Sequence, residues 1–381
     1  IIIFPSGFVS SVSDNRVIRK NFYSDYAQKE TNEKVSVVSK GTVRYYVQAA
    51  LEELFRFRKL PFVNLWHFPN GAENVFLFRI DTDFGKREQV DNLYKVIEKN
   101  NIKASWFLEV KSCEDWLSRY KEFQNQELSL HCYTHKVFNS YKNNFREISK
   151  GLEVLKSSGI FPKGFAAPYG EWNYSLAKSI NDLSFEYSSE FGYAYDCYPF
   201  RPVLKTGDSK ILQIPIHPVS MGRLHWGGHS EENILNYFYN LTEQKIKAQE
   251  PVALYTHPFE ERFNLLDLIF KKIKSYGIPN YTFAEFGSWW NKREEFVWNA
   301  EYKDELKLFS RQPDSSVWFR TVSPEGDIFL TPSDRVQEIN YKKINHPSLK
   351  LNMKISPAQL RKTTLRMRWH DYLSFYRKMK Q

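Results

Sequence analysis

An α/β protein built on a parallel sheet is what this sequence predicts, and three observations carry the prediction. From Val75 onward, short apolar runs alternate with amphipathic stretches some seven times over about 220 residues. Acidic and imidazole side chains recur where several of those runs end. At 381 residues and 42% hydrophobic composition, the chain can bury one large core. Strand then helix, repeated, is the pattern of parallel strands joined by crossovers, closed as a barrel or left open.

The elements follow in order. Residues 1–72 form an N-terminal extension in which 40–60, "KGTVRYYVQAALEELFRFRKL", spaces apolar positions as a helix does, and "PFVNLWHFPNGAEN" then punctuates the chain with Pro and Gly. The main unit spans 73–293. Its apolar runs "VFLFRI", "ASWFLEV", "LSLHC", "GFAAP", "ILQIPIHP" and "PVALYTH" are separated by helical patterns near 90–99, 116–123, 145–155, 176–183, 232–249 and 263–273, and "YTFAEFGSWW" closes it. In 294–340, "VWFRTVSPEGDIFLTP" alternates about the turn "SPEG" and predicts a small antiparallel β unit. The tail, 341–381, sets Leu365, Trp369, Tyr372, Tyr376 and Met379 at spacings of three and four among Arg361, Arg366, Arg368, Arg377 and Lys378, which predicts a C-terminal amphipathic helix.

Charge is informative once located. From Lys342 to Gln381 there are eleven Lys or Arg against one Asp, which equals the whole formal excess of +10. The remainder is near neutral, so a phosphate-reading face spread over the folded unit is excluded and no nucleic-acid partner is expected. The basic tail reads either as a membrane-surface helix, which would place the protein at an anionic leaflet, or as a helix packing its aromatic stripe on the barrel or a partner chain. The second reading needs no further assumption. Cys113, Cys132 and Cys197 form neither a CxxC pair nor an even framework, which points to a reducing, cytoplasmic compartment. The opening "IIIFPSG" breaks at Pro5 and Gly7 too soon for a signal sequence, and the chain starts at Ile1 without methionine, so that expectation reaches no further than these residues.

The chemistry is expected at the carboxyl ends of the strands, where parallel α/β folds carry their functional side chains. "FRIDTDFG" puts Asp81 and Asp83 at such an end, and a period of two along an extended chain aims both to one side. A buried carboxylate is costly unless a charge meets it. Aspartates also end strands as turn or cap residues. "SLHCYTH" brings His131 and His135 after another apolar run, four apart, on one face of a helical turn, where two imidazoles can grip one ion. "AAPYGEW" follows a further short run, and its Pro168-Tyr169-Gly170 turn could present the Tyr169 backbone N–H to a developing oxyanion; otherwise it is only a loop. "VALYTHP" ends in His257, a general acid or a satisfied strand-end histidine. Aromatic residues make up 17%, which composition alone reads first as a rich core; Trp172, Tyr193, Tyr195 and Trp226 are otherwise candidate sugar platforms, with Pro168 and Arg223 as further substrate contacts.

In this order, DxD, HxxxH, a PYG turn and a late strand ending in histidine, the chain resembles the polysaccharide deacetylases of the NodB-homology type, carbohydrate esterase family four, over roughly residues 74–290. The resemblance implies a distorted (β/α) barrel, here of about seven strands. It implies that Asp83, His131 and His135 bind a divalent metal, usually zinc, that Asp81 is the catalytic base, that Tyr169 donates its N–H to the oxyanion and that His257 is the general acid. The ligand types alone do not rank zinc above cobalt, nickel or manganese. Two departures stand out. Thr82 separates the aspartates, which the family commonly has adjacent, and Ala166 stands where the third motif normally carries the arginine that pairs with the base. Arg79, on the same strand at the same parity, and Arg223 are candidates to replace it. The expected activity is hydrolysis of an N-acetyl group from an amino sugar of a glycan. Its rivals are a sugar-binding member of the same fold with impaired catalysis, and a deformylase or cyclic amide hydrolase acting on a small molecule.

Overall fold

Seven parallel strands curl into a half-barrel in the computed structural model, which describes residues 2–22, 31–204, 207–303, 305–334 and 342–343, with 369 and 372. Their spatial order is Leu212–Gln213, Tyr187–Ser188, Gly164–Phe165, Glu127–Cys132, Ala104–Glu109, Phe76–Asp81 and Val252–Thr256. A further two-residue strand, Asn280–Tyr281, runs parallel beside the foot of Phe76–Asp81. The two outer strands do not pair, but the His217 N–H donates to the Ala253 carbonyl at 3.0 Å and bridges the edges.

Strand parity sorts the side chains. Phe76, Phe78 and Ile80 face the helices, packing with Val90, Leu93, Ile97 and Phe270. Leu77 faces inward with Phe107, Leu212, Ile214 and Ala253, and Arg79 and Asp81 share its parity. The alternation therefore carries a guanidinium and a carboxylate into the barrel interior.

The "YTFAEFGSWW" stretch is largely helical. Thr282 and Glu285 form a capping box, and the helix Phe283–Glu295 sets Phe283, Phe286, Trp289 and Trp290 among the inward-facing residues. Each such buried side chain contributes about 1.5–3 kcal/mol. The segment expected as a helix over 116–123 is a 3₁₀ turn, Glu114–Glu122, broken at Trp116.

The small antiparallel unit is present and recruits a distant partner. Trp318–Val322 pairs with Ile328–Pro332 on one side and with Phe62–Leu65 on the other, and Lys342–Lys343 completes four strands. The segment read as punctuation after the first helix thus supplies a strand. That helix, Lys40–Phe57, is capped by the Ser39 hydroxyl accepting from the Thr42 N–H. Ahead of it, Val17–Phe22 and Thr31–Ser36 form a hairpin. No helix among the described residues is long and apolar enough to cross a membrane. The expected C-terminal helix lies outside the described residues, Trp369 and Tyr372 excepted.

Candidate metal centre

The end of the Phe76–Asp81 strand explains the DxD spacing. Between the two acids, Thr82 turns to the neighbouring strand: its N–H donates to the Phe107 carbonyl at 3.0 Å and its hydroxyl accepts from the Glu109 N–H at 2.9 Å. Asp81 and Asp83 are thereby both directed to the mouth. Gly85 closes the turn, and a Cβ there would stand 2.9 Å from the Thr82 carbonyl.

His131 is the penultimate residue of the Glu127–Cys132 strand, and His135 follows three residues beyond that strand in a turn with φ 55°. The expected helical turn is absent. What brings the rings together, 5.2 Å between centroids, is a strand end followed by a left-handed residue whose N–H donates to Cys132 Sγ at 3.0 Å. His131 Nδ1 lies 2.7 Å from the Ala166 carbonyl. With that N–H donated, His131 Nε2 presents a lone pair to the mouth.

Asp83, His131 and His135 converge, each offering one ligand atom within 4.8 Å of the others. Asp83 Oδ1 lies 2.9 Å from His131 Nε2 and Oδ2 2.9 Å from His135 Nε2. Among the described residues, Asp83 Oδ1 and both Nε2 atoms are nonetheless buried without a properly directed hydrogen bond. A shared cation would satisfy all three, and a carboxylate with two imidazoles is a donor set suited to a divalent transition metal with open positions. Burial opposes ionisation of Asp83, yet the two imidazoles hold its pKa well below the usual range.

Asp81 is satisfied differently. Arg79 donates from Nε and Nη2 to its two oxygens, 2.6 Å each, and from Nη1 to the Ser189 carbonyl. Both residues are buried. Burial would raise the Asp81 pKa; the Arg79 charge foremost, then His131, outweighs it and keeps the pKa below its ordinary value. Arg79 thus makes the bidentate pairing that Ala166 cannot. Arg223 does not reach Asp81, because its guanidinium donates to the Asn32 carbonyl and faces Glu33.

His257 completes the group. Its Nε2 lies 3.7 Å from Asp83 Oδ2, and Nδ1 lies 2.7 Å from Glu260 Oε1. Burial alone would lower its pKa, but Glu260 and the nearby aspartates push it up to about 9. Glu260 is a residue the sequence reading missed, though "HPFE" sets it three positions after the histidine.

The aromatic expectations divide. Trp172 does not line the mouth: its ring stacks on Tyr193 at 4.3 Å in a buried cluster with Ala177, where packing between the faces leaves no platform. Tyr195 is engaged by the N-terminal hairpin, accepting from Lys20 Nζ at 3.0 Å and meeting Phe22 edge-on. Pro168 is buried in its turn, while Tyr169, with φ 60° and 42% exposed, packs edge-on to His135 at 4.9 Å. Trp226 lies parallel to Phe259 at 6.4 Å, and Phe259 stacks on His257. Phe84, 61% exposed and 5.2 Å from His135, also stands at the mouth and was missed; it directly follows Asp83.

Fold and site define the class of the protein: a curled (β/α) barrel whose strand ends converge on an aspartate and two histidines. Residues 77–188 match the family model for polysaccharide deacetylase, in agreement with the resemblance to the NodB-homology deacetylases of carbohydrate esterase family four that the motifs carry. Among solved structures, a Mycobacterium smegmatis protein assigned as a polysaccharide deacetylase is similar at 15% identity and TM-score 0.52, covering 59% of this chain and 92% of its own. One from Pseudomonas aeruginosa with the same assignment is similar at 13% identity and TM-score 0.51, covering 59% and 93%. At these identities the likeness establishes the fold. Comparison with curated proteins gives no significant match.

Proposed function

We propose that this chain is a metal-dependent deacetylase that removes the N-acetyl group from an amino sugar of a glycan. The observation that carries the reading is the trio Asp83, His131 and His135, whose facing atoms lack hydrogen bonds, beside a carboxylate and an imidazole that each have their own ionic partner. The family of the barrel and the exposed rings of Phe84 and Tyr169 support it.

Asp83, His131 and His135 would hold the ion, most plainly Zn²⁺, which when bound polarises an acyl carbonyl and lowers the pKa of water towards about 7. The chain's own residues do the rest. Asp81, kept anionic and aimed by Arg79, accepts the proton of the attacking water. The Tyr169 N–H, on a left-handed turn at the mouth, donates to the developing oxyanion. His257 gives its proton to the departing amine, and Glu260 on Nδ1 fixes the tautomer that leaves Nε2 facing the mouth. Arg79 in the first motif makes the pairing expected of the third-motif arginine, which supports the hydrolase reading over that of an impaired sugar-binding member.

The test is metal analysis of the purified protein together with mass spectrometry of its products on N-acetylated oligosaccharides. Stoichiometric divalent metal with acetate release is expected. Formate or a ring-opened product would move the reading to a deformylase or cyclic amide hydrolase, and bound metal with no turnover of any N-acyl glycan would overturn it.

A further inference from the structure

We propose that the N-terminal hairpin, which lies outside the residues matched by the deacetylase family, is part of the catalytic apparatus: acting through Arg223, it positions the pair Glu260–His257. The inference rests on the reading of His257 as the proton donor.

The connection is continuous. On the hairpin, the Asn32 carbonyl accepts from Arg223 Nε at 3.0 Å and Nη2 at 2.7 Å, and Glu33 Oε2 stands 3.3 Å from Nε. Thr31 Oγ1 lies 3.2 Å from His229 Nε2, just past the same helix. Arg223 is buried in the six-residue helix Met221–Trp226, which the Ser220 hydroxyl caps. A helix this short has little stability of its own, so its place depends on what anchors it.

That helix touches both members of the pair. The Gly222 N–H donates to Glu260 Oε2 at 2.9 Å, and the Thr256 hydroxyl donates to the same oxygen at 3.0 Å, leaving Oε1 for His257 Nδ1. A Cβ on Gly222 would stand 2.7 Å from Glu260 Cδ, so the position admits no side chain while Glu260 keeps its place. At the helix end, Trp226 lies parallel to Phe259, whose ring stacks on His257 at 5.0 Å. Hairpin, arginine, helix, carboxylate and imidazole form one chain of contacts, and its first link joins residues 191 positions apart. Arg223 and Gly222 are positioning residues: neither bonds to the imidazole.

Leaving-group chemistry separates positioning of a proton donor from general damage. An amide must have its amine protonated as it departs, whereas 4-nitrophenyl acetate loses a phenolate that needs no proton. We would compare the full-length, metal-loaded chain with Gly222→Ala, Arg223→Met, Arg223→Lys and Glu33→Gln, on an N-acetylglucosamine oligomer and on 4-nitrophenyl acetate. Expected for Gly222→Ala and Arg223→Met is a fall in amide kcat of about tenfold to a hundredfold, with KM, metal content and aryl acetate turnover within about threefold of wild type. Arg223→Lys should recover part of the loss, and Glu33→Gln, a mild change in a partly exposed ion pair, should show a smaller loss of the same selectivity. Should Arg223→Met fail to fold, Gly222→Ala and Glu33→Gln decide the matter. Equal losses on both substrates, or unchanged amide turnover, overturn the inference while the hydrolase reading stands. A wild-type protein that binds metal but cleaves neither substrate overturns that reading, and the inference falls with it.

Discussion

A buried pair of histidines and a single buried histidine elsewhere in this chain each leave ring nitrogens unsatisfied among the described residues and differ in the charge around them. At the barrel mouth, His131 and His135 have unsatisfied ring nitrogens and face Asp83, with Asp81 close by. Elsewhere, His67 also has an unsatisfied Nε2, but its ring stacks on Tyr198 at 3.9 Å, Arg44 lies over that tyrosine at 4.2 Å, and Arg293 Nη2 is 3.5 Å from Nδ1. Burial first, then Arg293, Arg44 and Arg320, push the His67 pKa well below its ordinary value. An orphaned imidazole nitrogen therefore does not by itself mark a metal site. The sign of the surrounding charge separates the two, because a cation would be drawn to the pair and repelled by three guanidinium groups at the single histidine.

The sharpest test of this contrast is to remove a ligand at the barrel mouth. Asp83→Ala or His131→Ala should lose both stoichiometric metal and measurable acetate release, and metal persisting in both variants would refute the ligand assignment. Next in size is Arg79→Met. It leaves Asp81 buried without its counter-charge, so a stability loss of about 3–5 kcal/mol by urea titration is expected, with acetate release falling even where the variant is folded. An unchanged unfolding midpoint would show that the pairing contributes little.

A smaller effect involves Glu190, buried with Oε2 unpartnered among the described residues and its pKa pushed up to about 7 by that burial. The native state holds this proton over a range where the unfolded chain, at about 4.5, has released it. Stability from this group is therefore lost as pH rises from about 4.5 to 7, by at most about 3 kcal/mol. Glu190→Gln should flatten that slope, as read from unfolding at pH 5 and pH 8, and identical slopes would rule the carboxyl out. Smallest of all is His67→Phe, which keeps the ring stack and removes the orphan nitrogen. Metal content and activity should match wild type, with stability within about 1 kcal/mol; loss of metal would collapse the contrast between the two sites.

Much of the fold was legible because its signals are local. Apolar runs, helical spacing and the parity of Arg79, Asp81 and Leu77 follow from periodicity over a few residues. The small sheet around "SPEG" was legible for the same reason, but its partner strand Phe62–Leu65 was not, since pairing across 254 to 260 residues leaves no local mark. The spacing of His131 and His135 suggested a helical turn, and the chain achieves the same convergence with a strand end and one left-handed residue. Trp172 and Tyr193 stood as candidate sugar platforms because sequence does not reveal that the two rings cover each other. Arg79 was legible as one of two candidates, with Arg223, to stand in for the missing arginine. The bond from Arg223 to Asn32 was beyond reach.

The aromatic helix set inside the barrel has a consequence for traffic. Phe283, Phe286, Trp289 and Trp290 are buried together with Leu77, Phe107, Leu212 and Ile214, so the inner face of the half-barrel is packed there, and the exposed rings of Phe84 and Tyr169 mark the approach to Asp83, His131 and His135. The glycan substrate proposed above would then meet the site from that exposed rim.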